Sequence, residues 1–91
     1  MKDELLKVLA KRGTRDMMKM WLARNMAEEF RDYSLREMHE LVWNGFRPVR
    51  SLTRAQLAEE LVDSAEELGS VAAFIEYVRD QVGDLVEQEI K

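Results

Sequence analysis

Apolar residues recur every three or four positions along most of this chain, which is the spacing of amphipathic helices. One proline and four glycines leave long stretches without a helix breaker. The pattern predicts helices at about 3–12, 15–32, 35–44, 54–68 and 71–90, with an extended loop at 46–52. The most regular apolar stripe belongs to the last helix and is formed by Val71, Phe74, Ile75, Val78, Val82, Leu85, Val86 and Ile90. We therefore expect an all-α fold, a compact bundle of four to five helices in a single domain over residues 1–91.

Two of the helix starts carry a capping box, in which an N-cap hydroxyl and the side chain three residues later each bond to the other's backbone N–H. Ser34 pairs in this way with Glu37, and Thr53 with Gln56. Gly45 lies where the first of these two helices should end, and glycine readily takes the left-handed conformation common at that position. Because Pro48 disfavours helical geometry in the residue before it, the loop 46–52 is predicted to be extended.

The other helix ends are predicted from glycines and hydroxyl side chains. Gly13 is predicted to end the first helix, and Thr14 to cap the second. Gly69 should end the 54–68 helix, with Ser70 capping the last one.

The sequence does not decide whether two of the predicted helices are continuous and straight. The 54–68 helix is predicted to be continuous, and a break at Asp63-Ser64 is the alternative. Gly83 lies inside the last helix, where it indicates either close helix packing or a kink, since glycine costs about 1 kcal/mol there relative to alanine.

Residues 33–62 resemble the helix-extended-loop-helix motif of the SAP and LEM-like group. The resemblance rests on Gly45-Phe46 closing one helix, a seven-residue linker, and Thr53-Arg54-Ala55-Gln56-Leu57 with Leu61 opening the next. SAP-type members of this group bind DNA through basic residues around the loop and the start of the second helix, whereas LEM-type members bind a protein. By position, the resemblance implies nucleic-acid contacts at Arg47, Arg50 and Arg54.

Charge is distributed unevenly along the chain, whose net charge is −4. Lysine, arginine, aspartate and glutamate sum to +3 over residues 1–31, +1 over 32–54 and −8 over 55–91. Such asymmetry can mark an interaction surface, although solvated helix faces give the same pattern. On the last helix the acidic candidates for partner binding are Glu76, Asp80, Asp84 and Glu87.

A second candidate surface is rich in methionine, whose flexible side chain adapts to variable partners. It consists of Met17, Met20 and Trp21, which point away from the main apolar stripe of the second helix. This surface is predicted to bind a partner or a second copy of the chain. Packing inside the core is the alternative interpretation.

Several classes of function find no support in the sequence. There is no cysteine, which excludes disulfides and thiolate metal sites. No apolar run is long enough for a membrane span, and the N-terminus lacks the apolar core of a signal peptide, so we expect a cytoplasmic protein without a membrane segment. His39 is the sole histidine, and no nucleophile elbow or phosphate-binding glycine loop accompanies it. The sequence therefore predicts no cofactor, no metal and no enzymatic activity.

Two functions remain. The first is a protein-binding adaptor or inhibitor of a larger partner, which itself handles nucleic acid in one version of this hypothesis. The alternative is a nucleic-acid-binding module, for which affinity should fall steeply with salt. The overall acidity of the chain favours the first.

Overall fold

A computed structural model describes residues 1–45 and 48–90, with side chains described for all of these up to residue 83. The helices are α1 (Lys2–Leu9), α2 (Arg12–Phe30), α3 (Leu35–Trp43), α4 (Arg54–Glu67) and α5 (Val71–Ile90). A short 3-10 turn, Val49–Ser51, lies between α3 and α4. No strand occurs in the described ranges, so the predicted all-α fold is confirmed. None of the helices within those ranges is both long enough and apolar enough to cross a bilayer.

The core is built by four of the helices together with the 3-10 turn. α1 packs on α4 and on α2, α5 packs on α2 and on α4, and the turn packs on α2. An edge-to-face contact between Trp21 and Phe74, with ring centroids 5.2 Å apart, joins α2 to α5. Among the described residues the buried set is entirely apolar: Leu5, Leu9, Met18, Trp21, Leu22, Val49, Leu57, Ala58, Leu61, Ala65, Val71, Phe74 and Val78.

The boundary between α1 and α2 differs from the prediction. α1 ends at Leu9 and α2 begins at Arg12, so Gly13 and Thr14 lie in the first turn of α2 and neither ends nor caps a helix. The break is at Lys11, whose backbone is extended with φ −77° and ψ 122°. Leu9 and Met18 on either side of it are both fully buried. The packing of both helices in the core thus decides where the chain turns. It outweighs the weaker local tendency of Gly13 to end a helix.

The other predicted ends are confirmed. Gly45 and Gly69 both take positive φ angles, +88° and +90°, at the ends of α3 and α4. Ser70 caps α5 by accepting a hydrogen bond from the backbone N–H of Ala73 at 3.1 Å. α4 runs through Asp63-Ser64 without a break.

Gly83 does not mark close helix packing. Among the described residues, no atom of another element lies within 4 Å of the position that a Cβ would occupy there. That half of the prediction is wrong, because Gly83 is exposed and faces away from the core. The buried stripe of α5 is confirmed at Val71, Phe74 and Val78, and its members beyond Gly83 lie outside the described side chains.

The connector between α3 and α4 is only partly extended. Pro48 has the expected extended backbone, with φ −58° and ψ 141°, but the next three residues form the 3-10 turn. The turn is closed by the Ser51 backbone N–H, which donates to the Pro48 carbonyl at 2.9 Å. Val49 is buried, and its burial against α2 explains why the chain turns inward. Phe46 and Arg47 lie outside the described residues.

Candidate protein-binding site

α3 exposes much of its apolar side. Not one of its nine residues, all of which the structure describes, is buried. Leu35, Val42 and Trp43 are 88%, 65% and 80% exposed, and Met38 and Leu41 are half-buried. The buried side chains of α4 pack with those of α1, α2 and α5, and α3 contributes none of the described core residues.

Local interactions hold α3 in shape. The Glu37 backbone N–H donates to Ser34 Oγ at 3.2 Å, and the Ser34 N–H donates to Glu37 Oε1 at 3.3 Å, which completes the capping box. His39 and Trp43 stack one turn apart with ring centroids 6.2 Å from each other. A nine-residue helix is marginal without tertiary packing, so a surface that covered the apolar side would also stabilise the helix.

α2 forms one wall of a groove of about 900 Å³, which we call the α2 groove. Lys19 Nζ donates to the Arg50 carbonyl at 3.3 Å, and this bond ties the 3-10 turn to α2 along the groove. Three cations and one carboxylate border it: Arg12, Lys19, Arg50 and Asp16. The apolar lining consists of Met20, Ala23, Met26, Ala27, Phe30, Pro48 and Val49. The α2 groove is therefore an apolar surface with a positively charged border.

A second depression, the α2–α4 cleft, has the opposite charge. Its volume is about 600 Å³, and Glu28, Glu29 and Glu60 contribute to its lining. Arg24 pairs with Glu28 at 3.4 Å on the surface of α2. Within the described ranges, no group of three or more acidic or histidine side chains is placed to hold a metal ion.

The predicted methionine-rich surface is divided by the fold. Trp21 is only 7% exposed, because it packs edge-to-face against Phe74 and Tyr77. Met17 is half-buried against the core, and only Met20 is well exposed, at 50%. Trp21 and Met17 are therefore core residues and do not offer a free surface. The N-terminal half of α2 has apolar residues on two sides, because one side is buried in the core and the other lines the α2 groove.

The predicted charged residues lie at several places. Arg50 borders the α2 groove, and Arg54 is exposed in the first turn of α4. Glu76 and Asp80 are exposed on α5. Arg47 lies outside the described residues, as do the side chains of Asp84 and Glu87.

Sequence reasoning missed two groups. Arg12 and Lys19 join Arg50 at the α2 groove, although they lie far from it in the chain. Trp43 was not singled out as a binding residue, although it is one of the most exposed large apolar side chains described.

Comparison with known proteins gives no relative: no protein-family model, no curated protein and no solved structure matches this chain.

Proposed function

We propose that this chain is a non-enzymatic protein-binding module, an adaptor or inhibitor, that docks on a larger protein through the apolar side of α3. The observation that carries the proposal is the exposure of Leu35, Val42 and Trp43 on one short helix. Large apolar side chains grouped on a soluble protein's surface are typical of interaction sites.

The spacing of these residues fits a helix that docks in a groove. Leu35, Met38 and Val42 stand at positions i, i+3 and i+7, the pattern of anchors in helix-in-groove recognition. Burying one such side chain contributes about 1.5–3 kcal/mol. Trp43 adds a residue type that often dominates binding energy in interfaces.

Charge indicates the kind of partner. Glu59, Glu60, Glu76 and Asp80 are exposed on α4 and α5, in the part of the chain that sums to −8. A basic partner would be attracted by these carboxylates before α3 docks, which raises the association rate more than the final affinity. A protein that itself handles nucleic acid has this basic character.

Nucleic-acid binding is the second candidate. Arg50 and Arg54 are exposed, and Arg12 and Lys19 add two cations to the border of the α2 groove. Phosphate contacts of this kind would make affinity strongly dependent on salt. The footprint is small for a chain of net charge −4.

A photo-crosslinking experiment in the source cells tests the main proposal. A crosslinker placed at Val42 should give an adduct of defined mass that is heavier than two copies of this chain, and the same group placed at exposed Gln81 on α5 should not. The substitution Leu35→Glu should abolish the adduct, because it puts a charge on the docking side. Leu68→Glu is the matched control, since Leu68 is also an exposed leucine but lies at the end of α4.

Titration of labelled duplex and single-stranded DNA tests the alternative with the same protein. Salt-sensitive binding that is lost in the Arg50→Ala/Arg54→Ala variant, without any adduct at Val42, would overturn the protein-binding proposal. No DNA binding even at low salt would remove the alternative.

A further inference from the structure

The chain carries both an uncovered apolar helix and an apolar groove. We propose that α3 of one copy lies in the α2 groove of a second copy, and that the second α3 does the same in return, forming a two-fold homodimer. The proposal uses the same α3 side chains as the function proposed above, but it does not need the larger partner. It describes what covers α3 when that partner is absent.

The α2 groove is long enough to hold α3. At 1.5 Å of rise per residue, α3 is about 14 Å long, and the groove-lining part of α2 from Arg12 to Phe30 is about 28 Å long. A groove of about 900 Å³ is of the size that a short helix with its apolar side chains can fill. Met20 and Met26 in its lining are flexible side chains that adapt to the shape of an occupant.

The charges of the two surfaces are also complementary. The border of the α2 groove carries Arg12, Lys19 and Arg50 against the single carboxylate Asp16. α3 carries Glu37 and Glu40 against the single cation Arg36. The groove therefore has an excess of positive charge and α3 an excess of negative charge, so docking places opposite charges around an apolar contact.

The reciprocal arrangement makes the interface large enough for a stable dimer. Stable interfaces bury roughly 1,200–2,000 Å² in total, and one short helix in one groove is small by that measure. Two-fold symmetry repeats every contact, so two α3 helices in two grooves double the buried area at no cost in new sequence. Among the described residues that line the groove none belongs to α3 of the same chain, so α3 of another copy does not compete with its own for this surface.

Sedimentation of the purified protein over a range of concentrations, with two variants, tests the proposal. Ala27→Glu puts a charge in the α2 groove, and Val42→Glu puts one on α3; both residues are exposed, so the fold should survive, as circular dichroism would verify. Wild type should sediment as a dimer and each variant as a monomer. Ala72→Glu, at an exposed alanine on α5, is the matched control and should remain dimeric.

Mixing the two variants gives the sharpest result. The Ala27→Glu chain keeps an intact α3 and the Val42→Glu chain keeps an intact groove, so an equal mixture should associate where neither variant does alone. The dissociation constant of the mixed dimer should be at least roughly tenfold larger than that of the wild-type dimer, since one of the two contacts is lost.

Four outcomes would overturn the dimer. Wild type that stays monomeric up to about 1 mM has no such interface, whether α3 stays free or folds onto its own groove. A dimeric Ala27→Glu variant would mean that two α3 helices pair with each other. A dimeric Val42→Glu variant would mean that two α2 grooves pair. A mixture that associates no more tightly than either variant alone would exclude the reciprocal arrangement.

The same variants separate this proposal from the proposed function. Ala27→Glu leaves α3 intact, so it should retain the adduct to the larger partner while losing the dimer. If the adduct is absent and the dimer is present, only the docking on a larger partner fails.

Discussion

α3 and α4 begin with the same local signal and end in opposite environments. Each starts with a complete capping box, and each is followed by a glycine with φ near +90°. Yet α4 buries Leu57, Ala58, Leu61 and Ala65, while none of the described residues of α3 is buried. Capping therefore specifies where a helix begins, and the availability of another apolar surface decides whether it is packed.

The amino acids of α4 explain its place in the core. Ala58 and Ala65 are small and buried, so neighbouring helices can approach the backbone of α4 closely at these two positions. α1 and α5 both pack there. α3 instead combines a tryptophan and long side chains over a short length, and none of its residues is buried. α3 is therefore a solvent-exposed helix.

The largest expected difference between the two helices concerns their leucines. Leu61→Ala should lower the free energy of unfolding by about 2–5 kcal/mol, because it opens a cavity in the core. Leu35→Ala should change it by no more than about 0.5 kcal/mol, because that side chain is exposed. Chemical denaturation followed by circular dichroism measures both. Equal effects would show that α3 is packed in solution.

The two glycines at the helix ends should give a smaller difference. Gly69→Ala should cost about 1–2 kcal/mol of unfolding free energy, since alanine is strained at positive φ even where there is space for its Cβ. Gly45→Ala meets the same strain at the end of α3, but relief by fraying of that helix leaves the core intact. Thermal unfolding of the two variants should therefore show a lower midpoint for Gly69→Ala than for Gly45→Ala. The reverse order would place the end of α3 inside the cooperative fold.

The smallest difference concerns the N-caps. Thr53→Ala removes the hydroxyl that accepts from the Gln56 N–H at 3.2 Å and should cost about 1 kcal/mol of global stability. Ser34→Ala should leave global stability nearly unchanged and instead increase amide hydrogen exchange in α3. Exchange measured residue by residue by NMR tests this. Unchanged exchange across residues 35–43 would contradict a helix held mainly by its cap.

Much of the fold could be predicted because the signals for it are local. The capping boxes, the glycine ends at Gly45 and Gly69, and the apolar stripe of α5 all depend on neighbours in the chain. The turn at Lys11 could not be predicted in this way, because it depends on burying Leu9 and Met18 together. For the same reason, the sequence shows that Trp21 is apolar but does not show that Phe74 and Tyr77 cover it.

The candidate site was less predictable than the fold. Arg50 was identified because residues 33–62 resemble a known motif. Arg12 and Lys19 reach the same groove only after α2 and the 3-10 turn have packed. The resemblance to the SAP and LEM-like motif stays a prediction. The acidic residues of α5 were visible as a pattern, and the structure confirms the exposure of Glu76 and Asp80 without adding a binding role.

α3 is bounded on each side by residues that are fixed elsewhere. Before it, Tyr33 contacts Phe30 at the end of α2 with ring centroids 5.3 Å apart, and after it Val49 is buried against the core. The exposed side chains between these two points can therefore be exchanged while the four packed helices keep their stability. Substitutions on the exposed side of α3 do not destabilise the core, so selection for stability does not remove them. New binding preferences can therefore evolve in this helix.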